Sequence, residues 1–220
     1  MVSRTKKWAI AAATLLALTA CGGRKDQNVV RHSEDAFKSA DARMCLSDLK
    51  SKSVKFSALP NQIFGGGCRT IDTIKLMDFG TATTNLGAMT CPLATNFAAW
   101  AQHAARPAAK QYLGSDLVRI ETMGTYSCRN VNGGRSGKLS QHAFGNAVDV
   151  SAFVLKDGRR VSVLGGWRGN KSEQEFLRRL HQSACKRFGT VLGPDYNGAH
   201  ANHFHFDMAQ SMKDGSTYCR

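Results

Sequence analysis

Two short segments, residues 140–150 and residues 200–207, carry the side chains that most restrict how this chain folds. The first reads Ser-Gln-His-Ala-Phe-Gly-Asn-Ala-Val-Asp-Val, and the second reads His-Ala-Asn-His-Phe-His-Phe-Asp. They offer His142, Asp149 and His205 as metal ligands. Two imidazoles and one carboxylate are a ligand set of catalytic zinc sites, which keep a fourth position for water. A fold that serves this chemistry must bring the two segments together.

The second segment has the alternation of a β-strand. His203, His205 and Asp207 are spaced by two, so they share one face, while Phe204 and Phe206 point the other way toward a core. Two such histidines alone would also fit an exposed strand edge. The first segment favours a metal site over an exposed strand edge. Its Asp149 stands between two valines, and a carboxylate in such an apolar setting is energetically unfavourable without a cation beside it.

The N-terminus predicts export as a lipoprotein. Cations precede a short apolar run over residues 8–20, which is too short to span a bilayer comfortably. The run ends in Leu-Thr-Ala-Cys, which resembles a bacterial lipobox, so we expect a lipoprotein signal peptide over residues 1–20 and a lipid on Cys21. The alternative is an ordinary signal peptide with a chance cysteine at its boundary. Gly22, in place of an aspartate, favours the outer membrane, facing the periplasm.

The charge of the chain indicates a polyanionic neighbour. Removal of Arg4, Lys6 and Lys7 with the signal peptide lowers the formal net charge from +14 to +11. Such a charge suits the cell wall or lipid headgroups. It would also suit nucleic acid, but an exported protein does not normally meet nucleic acid, so we expect no such partner.

Six cysteines follow Cys21, and an even number in an exported chain predicts three disulfides. Of the possible pairings we expect the sequential one, which is Cys45–Cys68, Cys91–Cys128 and Cys185–Cys219. Free buried thiols are the alternative, and they are more typical of a cytosolic chain. The chain has no CxxC, so we do not expect a cysteine zinc site.

Hydrophobic periodicity predicts a mixture of helices and strands. After a tether over residues 21–40, we expect one α+β domain over residues 41–220, with a central antiparallel sheet flanked by helices and braced by disulfides. The expected elements are a helix over 93–112 with a break near Pro107, strands over 117–123 and 147–154, a hairpin through Asp157-Gly158 to 160–164, a helix over 173–188 and a strand over 203–208.

The histidine segments resemble those of the metallopeptidase group that includes lysostaphin-type enzymes, D-Ala-D-Ala peptidases and the hedgehog fold. The span from about Cys45 to Cys219 resembles more closely the bacterial extensin-like C-terminal domain family. The stretches that carry this likeness are Tyr-Ser-Cys-Arg at 126–129, Leu-Gly-Pro-Asp-Tyr-Asn at 192–197 and His-Phe-His-Phe-Asp at 203–207.

The resemblance implies that His142, Asp149 and His205 bind zinc and that His203 serves as a base or stabilises the transition state. The D-Ala-D-Ala dipeptidases have a glutamate three residues before their last zinc histidine, where this chain has Asn202. That glutamate base is therefore absent here, the resemblance to the HxH branch of the group assigns its role to His203, and free D-Ala-D-Ala is a less favoured substrate.

Arg129 occupies the place of a related peptidase arginine that contacts a substrate carbonyl or carboxylate, and a guanidinium suits either group. The alternative for Arg129 is a structural loop cation beside Cys128. Other candidates have either a supporting role at the site or a role in loop structure. These candidates are Ser140, His200 and Asp207 around the ligands, and Asp195, Tyr196 and Asn197 along the cleft.

These observations predict a lipid-anchored zinc peptidase that acts on peptidoglycan peptides, either as an endopeptidase or as a carboxypeptidase. The main alternative is a zinc-containing lipoprotein that binds the cell wall without turnover. Metal storage is disfavoured by a carboxylate-containing set with an open position. Non-haem iron uses a similar ligand set, but the sequence shows no pocket for an oxidative cosubstrate.

Overall fold

The computed structural model describes residues 30–32, 37–210, 212 and 214–220. The expected signal peptide and Cys21 lie outside these residues. Within the expected tether, Val30–His32 forms a strand that pairs with Asn61–Ile63. Among the described residues, no helix combines the length and the apolar character that crossing a bilayer requires.

Helices and strands alternate irregularly along the described chain, which confirms the expected α+β class. The helices are α1 Ala40–Ser51, α2 Cys91–Trp100, α3 Arg106–Leu113, α4 Val163–Gly166 and α5 Lys171–Ala184. The strands are β1 Val30–His32, β2 Lys55–Ala58, β3 Asn61–Ile63, β4 Arg69–Thr70, β5 Thr73–Asp78, β6 Ala82–Thr84, β7 Met89–Thr90, β8 Leu117–Gly124, β9 Ala147–Leu155, β10 Arg160–Ser162, β11 Thr190–Leu192, β12 Phe204–Asp207 and β13 Tyr218–Cys219.

The largest sheet has the order β13-β11-β12-β9-β8-β6, with β10 also paired to β9. Its central pairs are antiparallel, as expected, whereas β6 with β8 and β11 with β13 are parallel. Two three-stranded sheets, β1-β3-β4 and β2-β5-β7, complete the described β-structure.

One face of the large sheet packs against the helices through aromatic side chains. Trp100 of α2 lies 5.1 Å from Phe206 and 6.2 Å from Phe153, and Phe153 lies 5.2 Å from Phe176 of α5, all between ring centroids. Full burial of side chains of this size supplies much of the apolar stabilisation of a domain. The helices thus occupy one face of the sheet, and the opposite face is available for a site.

The expected break near Pro107 takes the form of a π-helical turn, Ala101–Ala105, between α2 and α3. A proline has no N–H to donate and its ring clashes with the preceding turn, so a helix that continues through it must widen or bend. Gly114, with φ +69°, then ends α3 in the left-handed conformation that glycine adopts readily.

The hairpin after β9 is shorter than expected. The strand over 160–164 ends at Ser162, because the Ser162 hydroxyl accepts a hydrogen bond from the Gly165 N–H and so starts the short helix α4. The second long helix also begins earlier than predicted, at Lys171, since Asn170 caps it through the Glu173 N–H.

Two of the three expected disulfides are wrong. Cys45 pairs with Cys91 because α1 packs beside the start of α2, and Cys68 pairs with Cys128, which brings the turn at Gly65–Gly67 to the loop before the first histidine segment. The third expected pair, Cys185–Cys219, is present and ties β13 to the end of α5.

We expect peptide mapping of the oxidised, non-reduced protein to recover these three pairs. Replacement of Cys68 and Cys128 together by serine should lower the free energy of unfolding by about 4 kcal/mol, because their disulfide closes a long loop in the unfolded chain. Denaturant titration measures this change. Recovery of the sequential pairs Cys45–Cys68 and Cys91–Cys128 would contradict the fold described here.

Candidate metal centre

A tight turn presents the first candidate ligand, His142. The turn Gln141–Phe144 is a short 3₁₀ helix capped by the Ser140 hydroxyl, which accepts a hydrogen bond from the His142 backbone N–H at 3.3 Å. Gly145 ends the turn with φ +63°, and a Cβ there would lie 3.1 Å from a backbone oxygen of Ala88. Ser140 therefore supports the backbone of His142 rather than its ring.

The other two candidate ligands lie directly opposite each other on neighbouring strands, with Asp149 of β9 paired to His205 of β12. Ser151 forms a bulge in β9 where it pairs with β8. The bulge reverses the alternation, so that Val150 before it and Phe153 after it both point into the helix-side core. This register places Asp149 and His205 on the face that the helices do not cover.

The three side chains meet at a buried centre. His142 Nε2 lies 3.1 Å from Asp149 Oδ2 and 3.2 Å from His205 Nδ1, and His205 Nδ1 lies 2.9 Å from Asp149 Oδ1. Ligand atoms on a tetrahedral zinc with bonds of about 2.0–2.1 Å are about 3.3 Å apart. The spacing in this protein is close to that value, so the three residues fit a zinc ion.

Hydrogen bonds on the far side of each imidazole fix which nitrogen faces the centre. His142 donates from Nδ1 to the Thr125 carbonyl oxygen at 3.1 Å, and His205 donates from Nε2 to Asp207 Oδ2 at 2.9 Å. The nitrogens that remain, Nε2 of His142 and Nδ1 of His205, then direct lone pairs at each other and at Asp149. Such an arrangement is unfavourable unless a cation lies between them.

The pKa values of Asp149 and His205 also indicate that the centre favours a cation. Burial by itself raises the pKa of Asp149, but the hydrogen bonds and the charges of His142 and His205 outweigh burial and hold that pKa well below its ordinary value. Burial by itself lowers the pKa of His205, yet Asp149 and Asp207 raise it to about 9. The site therefore favours positive charge at its centre.

His203 lies beside the three candidate ligands without joining them. Its Nε2 is 3.6 Å from Asp149 Oδ1, and its Nδ1 donates to the Asn202 side-chain oxygen at 2.8 Å. Nε2 therefore carries the lone pair on the side of the centre. Burial lowers the pKa of His203, so the ring is held neutral near pH 7.

His200 is a second buried imidazole on the cleft wall, 5.1 Å from His203 between ring centroids. Its Nδ1 donates to the Asn197 side-chain oxygen at 2.7 Å. Burial, followed by repulsion from His203 and His205, lowers the pKa of His200 to about 4. Like His203, it presents a neutral ring whose Nε2 carries the lone pair.

Arg129 lies at the entrance of the centre, with Nη2 3.5 Å from Asp149 Oδ2 and its side chain 37% exposed. The Cys68–Cys128 disulfide anchors the chain next to it. A guanidinium that contacts a ligand on one side and solvent on the other is available to an anionic group that enters the site.

An open cleft of about 820 Å³ leads to the centre. Arg129, His200, His203 and His205 line it, together with residues 131–133 and 138–141 of one loop and with Thr190, Leu192, Tyr196 and Tyr218. A smaller cavity of about 530 Å³, between α1 and Phe144, is lined by none of the three candidate ligands. The cleft is therefore the route by which a substrate would reach them.

Most residues that the sequence proposed for the site meet at this centre, and Asp207 accepts a hydrogen bond from His205. Asp195 does not line the cleft. Its carboxylate accepts a hydrogen bond from Trp167 outside the cleft. Tyr196 faces the cleft, and the Asn197 side chain accepts a hydrogen bond from His200.

Sequence reasoning missed Thr125, and it did not connect Asn202 with His203 or Asn197 with His200. Thr125 acts through a backbone carbonyl, which any residue would supply, so its identity carries no signal. The asparagine directly before His203 was a detectable signal, because an amide beside a histidine can fix its tautomer.

One other group within the described residues has the composition of a metal site, namely His181, Cys185 and Cys219. The two cysteines form a disulfide, so their sulfur atoms are not thiolate ligands. His181, which the sequence assigned no role, instead donates to the Arg220 carbonyl oxygen and packs between Trp167 and Phe204.

Comparison with protein families matches residues 43–220 to the family described as extensin-like protein C-terminus. The chain belongs to the extensin-like C-terminal family. The match covers nearly all of the domain and both histidine segments of this extensin-like protein. No curated protein matches the chain. No solved structure matches it either, so the expected likeness to the hedgehog and D-Ala-D-Ala peptidase group stays a prediction.

We expect the stability of the metal-free protein to fall as the pH rises from about 7 to about 9. The folded state raises the pKa of His205 from 6.5 to about 9, so protonated His205 stabilises the fold below pH 6.5, and that stabilisation is lost as the pH rises through the folded value. The loss should be roughly 3 kcal/mol. Urea titrations with a chelator at several pH values measure it, with His205→Gln as the control.

In the His205→Gln control this part of the pH dependence should be absent. A wild-type protein whose free energy of unfolding stays constant between pH 7 and pH 9 would show that the centre does not require a cation.

Proposed function

We propose that this extensin-like protein is a zinc-dependent peptidase that acts on the peptide stems or cross-links of peptidoglycan. The observation that carries the proposal is the convergence of two imidazole lone pairs and a carboxylate at the end of an open cleft, with a neutral histidine beside them. Catalytic zinc sites combine three protein ligands with an accessible fourth position.

His142 Nε2, His205 Nδ1 and the Asp149 carboxylate would hold the zinc ion. Zinc in such a set supplies Lewis-acid chemistry, in that it polarises a carbonyl group and lowers the pKa of water toward neutrality. Thr125 and Asp207 keep the two imidazoles in the tautomers that this binding needs.

His203 is the proposed proton carrier. Its Nε2 faces the centre, and Asn202 keeps the proton on Nδ1, so a neutral His203 is ready to accept a proton from attacking water and return it to the leaving amine. The lowered pKa of His203 keeps the ring in this basic form near pH 7. His203 directly precedes β12 and lies two residues from the candidate ligand His205, which fixes its distance from the centre.

Arg129 is the proposed anion-binding group of the cleft. Its guanidinium contacts Asp149 but remains partly open to solvent, so it is available to the carbonyl oxygen that gains negative charge or to a substrate carboxylate. Lys138, which also lines the cleft, adds a second positive charge there. Both charges suit peptides rich in carboxylates, such as peptidoglycan stems.

We further propose that the protein is held in the bacterial envelope by a lipid on Cys21, at the outer membrane and facing the periplasm. The short apolar run before Cys21, the disulfides and the net positive charge support this location. The anchor would place the domain within reach of the wall, with peptidoglycan as its partner.

A non-catalytic, zinc-containing protein that binds the cell wall is the second candidate. The observation in its favour is Asn202, which stands where the D-Ala-D-Ala dipeptidases have a glutamate base. In this protein the Asn202 side chain orients His203 instead. If the protein is a peptidase, His203 therefore serves as the base. Binding of peptidoglycan without release of products would favour this second candidate.

We expect the zinc-loaded protein to release soluble peptide products from isolated peptidoglycan sacculi, and a chelator should abolish the release. Replacement of His203 by Ala should lower turnover at least 100-fold, because general acid–base catalysis is lost, while the zinc content stays at the wild-type level. Mass spectrometry of the products identifies the bond that is cut.

His205→Ala is the matched control, since it should lose both zinc and turnover. Full turnover by the zinc-loaded His203→Ala protein would contradict the role of His203. If the wild-type protein pellets with sacculi and carries zinc but releases no products, the peptidase function is contradicted and the non-catalytic wall-binding function is favoured.

A further inference from the structure

The loop between β11 and the second histidine segment connects the cleft to the far side of the sheet. Its residues serve both sides: Asp195 points to Trp167, whereas Tyr196 faces the cleft and Asn197 accepts the hydrogen bond from His200 on the cleft wall. A single segment of Gly-Pro-Asp-Tyr-Asn thus touches both the site and the helix-side core.

Two side chains, Trp167 and Arg178, donate hydrogen bonds to Asp195 and also contact each other. Trp167 donates from Nε1 to Asp195 Oδ1 at 2.9 Å, and Arg178 of α5 donates to Asp195 Oδ2 at 2.5 Å. The Arg178 guanidinium lies 3.7 Å from the centre of the Trp167 ring, which is a cation–π contact. Arg168 adds a weaker contact at 3.8 Å. Together these residues form a clamp on the loop.

The clamp is anchored to β12, the strand that carries the candidate ligand His205. Trp167 is buried and packs 5.6 Å from Phe204, between ring centroids, and Phe204 is the first residue of β12, between His203 and His205 in the chain. The position of Asp195 is thus fixed relative to the strand that carries His205 and that directly follows His203. The bonds from Trp167 and Arg178 also lower the pKa of Asp195, which keeps it ionised and bound.

Hydrogen-bonded turns connect Asp195 to His200, so the position of Asp195 determines where the backbone places His200. The Tyr196 N–H bonds to the Gly193 carbonyl oxygen, and the His200 N–H bonds to the Asn197 carbonyl oxygen, so the segment consists of two consecutive turns. A side chain at Gly193 would approach the ring of His181 to about 3.0 Å, which shows how closely the start of the loop packs. The loop has little freedom once Asp195 is held.

We propose that Asp195 is a positioning residue of the site: clamped by Trp167 and Arg178, it fixes the loop so that Asn197 holds His200 with Nε2 toward the cleft. Asp195 touches none of the candidate metal ligands and acts only through the loop. The consequence for catalysis rests on the function proposed above, whereas the effect on His200 does not.

The test uses Asp195→Ala in the whole mature chain, with its disulfides formed and zinc added, and Asp157→Ala as the matched control. Asp157 is also an exposed aspartate bound by an arginine, Arg159, but it lies in the β9–β10 hairpin. Nitrogen-15 NMR of the histidine side chains reports the His200 tautomer, and metal analysis reports zinc content.

In the Asp195→Ala protein we expect His200 to lose the pattern of a fixed Nδ1–H tautomer, with zinc content unchanged. Turnover of sacculi should fall, because His200 lines the cleft beside the proposed proton carrier His203. The Asp157→Ala protein should match the wild type in all three measurements. An unchanged His200 pattern in Asp195→Ala, or an equal change in Asp157→Ala, would overturn the proposal.

If Asp195→Ala does not fold, Trp167→Phe replaces it, because phenylalanine keeps the packing on Phe204 but lacks the N–H donor. We expect a smaller shift of the His200 signals in the same direction, and an unchanged pattern would again overturn the proposal. If the wild type releases no products from sacculi, the proposed peptidase function fails, while the NMR comparison still decides the role of Asp195.

Discussion

The lone pairs of His142 Nε2 and His205 Nδ1 face each other across 3.2 Å, with the Asp149 carboxylate about equally close to both. Thr125 and Asp207 hold the imidazoles in this arrangement from behind, so neither ring can turn its N–H toward the centre without loss of a buried hydrogen bond. A proton on His205 relieves the repulsion in the metal-free protein, and a metal ion would relieve it more completely. The rest of the site is organised around this need for a cation.

The large sheet separates this polar centre from the hydrophobic core. Phe204 and Phe206 pack under the helices while His205 and Asp207 point to the cleft, and the bulge at Ser151 lets β9 serve both the centre and the core along its length. Two disulfides, Cys68–Cys128 and Cys185–Cys219, tie the cleft walls to neighbouring elements. The polar residues of the site are thus held by a rigid scaffold, which is what metal binding and catalysis require.

Sequence reasoning found His205 because polar and aromatic side chains alternate over residues 203–207, most of which form β12, and it found Asp149 because a carboxylate between two valines needs a cation. It also found the fold class, the helix break near Pro107 and the main strands, since these follow from local periodicity and proline geometry. It failed for Cys45 and Cys91, because disulfide pairing depends on which distant elements pack together and not on the order of cysteines. It could not find the Thr125 carbonyl for the same reason, since only the folded chain brings that backbone oxygen to His142.

The most direct test of the proposed metal centre is the metal content and metal coordination of residues 22–220, purified with disulfides formed. Elemental analysis should give about one zinc per chain, and X-ray absorption at the zinc edge should show nitrogen and oxygen ligands with the scattering of two imidazoles and no sulfur. A folded protein that binds no zinc, or a zinc ion with sulfur ligands, would contradict the assignment of His142, Asp149 and His205 as the metal centre.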